Sequence, residues 1–199
     1  MSSIYWAISI RGIHMHREDL EQNGFSLVEL AMVCAIGAVI MAAATPLFQS
    51  FAQRSNADGA AQLIAQELSM ARAMAVSTHG PILVQFDPVA NSVVVAAGTG
   101  SVRGPFPLPG GTKFMSIRPA LDTPDALGSM LLGVGSNTNV AFLDNGTSAT
   151  DTSGAALCSG TFFIQDRNGD DATIRAVTLL GGTGKAHIWK YDPTTNSWN

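Results

Sequence analysis

Side chains able to do acid–base, nucleophilic or metal chemistry are sparse in this chain, and one of them stands in an unexpected place. Of the four histidines, His14 and His16 fall near the amino terminus. His79 and His187 have no cysteine or carboxylate at metal-ligand spacing. No Gly-x-Ser-x-Gly, Walker or dinucleotide fingerprint occurs. The stretch "DRNGDD", Asp166 to Asp171, offers Asp166, Asn168 and Asp170 as the first ligands of a calcium loop. Its sixth position is Asp171 rather than glycine, however, and no glutamate follows six residues on, so an Asn-Gly turn is the preferred reading of the same letters. These residues point away from an enzyme, and they imply no cofactor and no metal. The misplaced residue is Glu29, in "NGFSLVELAMVCAIGAVIMAAATPLF". After it the next charge is Arg54. A carboxylate in the middle of a membrane span costs about 2.5–3.5 kcal/mol on insertion scales, so Glu29 needs a reason.

The elements around it supply the setting. The chain has 199 residues, 46% apolar and 13% charged, which excludes a disordered chain. The net charge of −4 gives no general case for nucleic-acid binding. Cys34 lies inside the apolar run and Cys158 far outside it, which argues against a bridge between them. Leu30 to Phe48 spans 19 residues, roughly 28 Å as a helix and about one hydrocarbon thickness. The run has no polar face, so it does not read as a buried core helix. Two membrane readings fit. One is a secretory signal peptide with an Ala-x-Ala site at Ala42–Ala44, which would release a secreted enzyme. The other is a retained anchor preceded by a removable segment, 1–24.

Beyond the run, Gln49 to Ser77 places Leu63, Ile64, Leu68, Ala71, Met74 and Ala75 at three- and four-residue steps, an amphipathic helix. "STHGP" ends it, with Gly80 as the expected cap and Pro81 as the stop. An unbroken helix from Phe25 to Ser77 would be roughly 80 Å long. Pro46 would kink it, since proline removes one hydrogen bond from a helix. The period then becomes strand-like. A hairpin is expected from Ile82–Phe86 and Val93–Ala97, a loop over Gly98–Gly111, and a strand over Thr112–Arg118. A second loop-rich stretch runs from Pro119 to Thr138, and a strand follows at Val140–Leu143. "TFFIQD", "ATIRAVTLL" and "AHIWKY" form a three-stranded meander. The fold class is α+β: one long amino-terminal helix, transmembrane then amphipathic, packed on a mostly antiparallel head.

Gly24, Phe25 and Glu29, followed by about twenty apolar residues and a late proline, resemble the type IV prepilin signal. The resemblance implies cleavage after Gly24 by a prepilin peptidase and N-methylation of Phe25. It also implies a partner for Glu29, the amino-terminal nitrogen of a neighbouring subunit. Cleavage would then create the cation that a desolvated carboxylate requires. "LSMARAMAVSTHGPILVQF" is similar to the stretch common to GspH- and FimT-type minor pilins, which carry an "AR-x-x-A-V" core, here Ala71, Arg72, Ala75 and Val76. "F-x-x-x-G" at Phe142–Gly146 and "RAVTLLGGTGKAHIW" look similar too. Read alone, Arg72 is an amphipathic-helix arginine covering a strand edge.

The resemblance divides the chain into a leader (1–24), a transmembrane assembly helix (25–48), an amphipathic continuation (49–80) and a periplasmic β-rich, pilin-like head (81–199). It implies an inner-membrane, single-pass subunit of a type II secretion pseudopilus or a type IV pilus tip or priming complex. Its partners would be other pilins. The leader departs from the short, basic family pattern: Arg11 and Arg17 stand against Glu18, Asp19 and Glu21, and a start at Met15 would shorten it. Some FimT-like pilins bind DNA, which gives a second reading. Arg175, Lys185 and Lys190, interleaved with His187 and Trp189, would then contact phosphates. On an acidic chain the same residues also describe a solvated strand face.

Overall fold

In the computed structural model of the chain the described residues are 26–98, 100–115, 122–127 and 138–199. One helix, α1 (Leu27–Thr78), runs through Pro46 without a break. The chain divides into two units, 1–44 and 45–199. In the first, the apolar side chains Leu30, Val33, Ile36, Val39 and Ile40 are 61–71% exposed. Water is a poor solvent for such a surface, and the helix is long and apolar enough to cross a membrane.

In the second unit α1 becomes one-sided. Ala57, Ala60, Ala61, Ile64, Leu68, Ala71 and Ala75 are buried, at the three- and four-residue steps of a single helix face. Alanine dominates that face, so the helix backbone lies close to what it covers. The helix ends as a Schellman motif: His79 takes the left-handed position at φ +51, and the Gly80 amide donates back to the Ala75 carbonyl at 3.3 Å. The left-handed residue is thus the histidine, one position before the glycine expected to cap.

Two antiparallel sheets complete this unit. The first holds β1 (Ile82–Asp87), β2 (Ser92–Ala97), β3 (Gly100–Pro107), β5 (Thr138–Phe142) and β6 (Ser148–Ala149), in the order β3-β2-β1-β5-β6. The second holds β4 (Lys113–Phe114), β7 (Gly160–Gln165), β8 (Arg175–Leu180), β9 (Lys185–Asp192) and β10 (Ser197–Trp198), in the order β10-β9-β8-β7-β4. The main core lies between α1 and both sheets. Val84, Phe86, Val140, Phe142, Phe162, Ile164, Val177 and Leu179 fill it. Phe86 of the first sheet stacks on Phe162 of the second at 4.2 Å. Strand alternation sends Phe163 to the opposite face, where it joins Ile174, Ala176 and Trp198 in a second cluster. All six residues of β7 are buried for that reason.

The α+β expectation holds, and several elements differ from it. The expected loop Gly98–Gly111 contains β3, paired with β2 through a register shift at Val93 and Val95. There Gly104 takes φ +96, and a Cβ on it would come within 2.9 Å of the Val93 carbonyl oxygen. Proline is tolerated because β3 is an edge strand. The expected strand Thr112–Arg118 is a strand only at Lys113–Phe114, and 116–121 lie outside the described residues. Most of the expected loop Pro119–Thr138 also lies outside them. The short strands β6 and β10 were not expected.

Candidate functional site

The helix start is built by two side chains. Ser26 precedes α1, and its hydroxyl accepts from the Glu29 amide at 3.2 Å. The Glu29 carboxylate accepts in return from the Ser26 amide at 3.0 Å. This is a capping box, which satisfies two amide donors that a helix start otherwise leaves open. The spelling Ser-x-x-Glu was present in the sequence, where only the charge of Glu29 drew notice. Glu29 is therefore exposed and engaged within its own chain, and it also sits at the positive end of the helix dipole. Gly24 and Phe25 lie outside the described residues.

Three segments that carried the family resemblance meet in the head. Ala71 and Ala75 are fully buried in the core. Arg72, one residue on from Ala71, is part-buried, and its Nε donates to the Gly146 carbonyl at 3.0 Å. Gly146 ends the turn after β5, at φ +79. A Cβ there would meet Arg72 Nε at 3.2 Å and Val76 Cγ2 at 3.4 Å. Gly184, in the β8–β9 turn, has φ +61, and a Cβ on it would stand 2.3 Å from the Gly146 oxygen and 3.1 Å from Arg72 Cδ. One arginine thus ties the helix to a turn of each sheet. Arg72 does more than cover a strand edge.

The residues expected to contact DNA do not form one patch. Arg175 is 5% exposed. Its Nε pairs with Asp58 Oδ1 on α1 at 2.5 Å, and its Nη1 donates to the Ala172 and Ile174 carbonyls at 3.0 and 2.8 Å. A guanidinium so committed has no free donor fork for a phosphate, which corrects the expectation for Arg175. Lys190, opposite Arg175 in the β8–β9 register, pairs with the other Asp58 oxygen at 3.2 Å. Lys185 stands at the far end of β9, opposite Leu180. Beside it Asp125 accepts from Thr178 Oγ1 at 2.5 Å and Trp189 Nε1 at 2.8 Å, with His187 Nδ1 at 4.0 Å. The Thr178 hydroxyl bond, helped by Trp189 and His187, holds the Asp125 carboxyl below its ordinary range against a smaller desolvation effect. Asp125 thereby pins residues 122–127 on β8 and β9, a role not legible from a carboxylate in a loop.

The letters "DRNGDD" form a turn. The Asn168 amide donates to Asp166 Oδ2 at 3.1 Å, the Gly169 amide donates to the Asp166 carbonyl at 3.1 Å, and Gly169 has φ +78. Asp170 then caps a short 3-10 turn through the Ala172 amide. Cys34 is exposed and Cys158 buried, both as free thiols. Burial raises the pKa of the Cys158 thiol, which makes it a poor nucleophile.

Residues 21–45 match the prokaryotic N-terminal methylation motif. The chain therefore carries the methylation motif of prokaryotic prepilins, and the start of α1 lies inside it. Among solved structures, the type IV minor pilin FimU of Pseudomonas aeruginosa is similar at 19% identity, over 73% of this chain and 94% of that one, with a TM-score of 0.46. The minor pseudopilin EpsH from the type 2 secretion system of Vibrio cholerae is similar at 13% identity, over 68% of this chain and 97% of that one, with a TM-score of 0.44. No curated protein matches the chain.

Proposed function

We propose that this chain is a minor pilin or pseudopilin of the GspH/FimT type, a structural subunit rather than an enzyme. A prepilin peptidase cuts between Gly24 and Phe25, and Phe25 is N-methylated. The apolar part of the helix, 25–48, anchors the subunit in the inner membrane, with the head in the periplasm and Pro46 as a bending point. The subunit then joins other pilins in the tip or priming complex of a secretion pseudopilus or a type IV pilus. The observation that carries this reading is the methylation motif over residues 21–45, coincident with a solvent-exposed apolar helix.

Glu29 acts in two settings in this account. Before assembly it caps its own helix through Ser26. In a fibre, where helices pack with little water, an exposed carboxylate becomes a desolvated one and needs a cation. The amine freed at Phe25 of a neighbour provides it. Glu29→Ala removes a charge from the span, so membrane insertion stays intact or improves slightly. Assembly falls, because the amine loses its partner. Alkaline extraction reads insertion, and site-specific crosslinking to neighbouring pilins reads assembly. Unchanged crosslinking in the variant would remove the pairing role.

A further inference from the structure

One face of α1 changes character within two turns. Leu47, Phe51, Arg54 and Asp58 follow one another at four-, three- and four-residue steps, so they share that face. Leu47 and Phe51 are 73% and 70% exposed. Arg54 is exposed and has no ion-pair partner among the described residues. It lines a cleft of about 430 Å³ together with Arg175, Lys190, Tyr191, Asp192 and Thr194. Three cations, Arg54, Arg175 and Lys190, line it with the carboxylate of Asp192 and with Asn199, which carries the terminal carboxylate, while Asp58 pairs with two of the cations. Asp192 is turned to Thr194, accepting from its amide at 2.9 Å and its hydroxyl at 2.5 Å. The charge of Arg54 is thus left open, on a chain that is acidic overall.

We propose that this cleft binds the phosphate of an anionic phospholipid. The apolar surface that leads to it marks the depth. Arg54 stands one helical turn, about 5 Å, beyond Phe51 and about 10 Å beyond Leu47. The headgroup layer on each side of a bilayer is roughly 5–7 Å thick. With Leu47 and Phe51 against the acyl chains, Arg54 falls at the level of the phosphates. A guanidinium fork suits a phosphate in two-point contact, and the Lys190 ammonium adds a second, mobile donor. The Tyr191 ring, amphipathic, suits the same level. The lipid tail would lie along Leu47 and Phe51. This inference rests on the membrane-anchored reading of the chain.

The test uses the full chain in vesicles of mixed phosphatidylglycerol and phosphatidylcholine, with retained lipids identified by native mass spectrometry. Enrichment of phosphatidylglycerol is expected, falling about fivefold in Arg54→Gln and again in Lys190→Gln. Lys185→Gln, at the far end of the same strand, leaves it unchanged. Arg54 has no ion pair among the described residues, so its variant reports on binding rather than on a lost internal bridge. Equal retention of the two lipids, or enrichment indifferent to Arg54, overturns the proposal. If detergent-solubilised protein binds inorganic phosphate through Arg54 with no preference between lipids, the ligand is free phosphate and the lipid is wrong. Alkaline extraction is run on the same vesicles: a chain that washes off overturns the anchored reading itself, whereas one that stays while retaining no excess phosphatidylglycerol overturns only the lipid site.

Discussion

At Asp58 a single carboxylate answers two cations, one buried and one exposed. Partial burial alone would raise its pKa. The hydrogen bonds and charges of Arg175, then of Lys190, outweigh this and hold it below the ordinary value. A carboxyl depressed on folding stabilises the fold above its unfolded value, about pH 4, and loses that contribution as pH falls through the folded value. Asp58→Asn leaves the buried Arg175 with two carbonyls and no counter-charge. We expect a loss of about 2 kcal/mol at pH 7, reduced from the cost of a fully buried pair because Asp58 is partly exposed. At pH 3 the variant and the parent draw closer. Denaturant unfolding followed by the fluorescence of Trp189 and Trp198 checks this, and an equal deficit at both pH values would contradict it. Glu67 is a second case at this scale: its side chain is 6% exposed, and one of its oxygens meets Arg103 of β3 at 3.3 Å.

At the scale of elements, the two turns held by Arg72 make a sharp prediction. Gly184→Ala places a side chain at positive φ, with its Cβ 2.3 Å from a backbone oxygen that has little room to move. The expected loss is about 3 kcal/mol, seen as a lower melting temperature. Gly182→Ala, in the same turn with nothing within 4 Å, is close to neutral. Equal melting of the two variants would contradict the clasp. Long, strongly patterned elements were legible in the sequence: the apolar helix, its alanine-lined continuation, the first hairpin and the β7–β8–β9 meander. Short strands were not. β6 and β10 each have two residues and exist because a neighbour offers its edge. β3 is hidden by the glycine and proline that an edge strand tolerates. The basic patch misled for a similar reason. Arg175 reads as exposed beside lysines, yet β8 is covered on both faces, and its carboxylate lies 117 residues away on the helix. Spacing along the chain carries no sign of such a pair. The capping box at Ser26 and Glu29, by contrast, is local and was there to be read.

At the scale of the whole molecule, an acidic chain carries a helix long and apolar enough to cross a membrane, and this supports the anchored-subunit reading proposed above. The DNA reading depends on Lys185 and Lys190 acting together, and they lie five residues apart on β9, opposite Leu180 and Arg175 respectively. With Arg175 committed inward, we expect no mobility shift of duplex DNA at low salt that the Lys185→Ala/Lys190→Ala variant abolishes. A shift lost in that variant, and steep in salt, would restore the DNA-binding reading. The central claim is processing as a prepilin, and it has a direct measurement. Amino-terminal mass spectrometry of the mature protein, made in a host with its peptidase, should find a chain beginning at N-methylated Phe25. A mature chain beginning at Thr45, after the Ala42–Ala44 site, would establish an ordinary signal peptide and contradict the account.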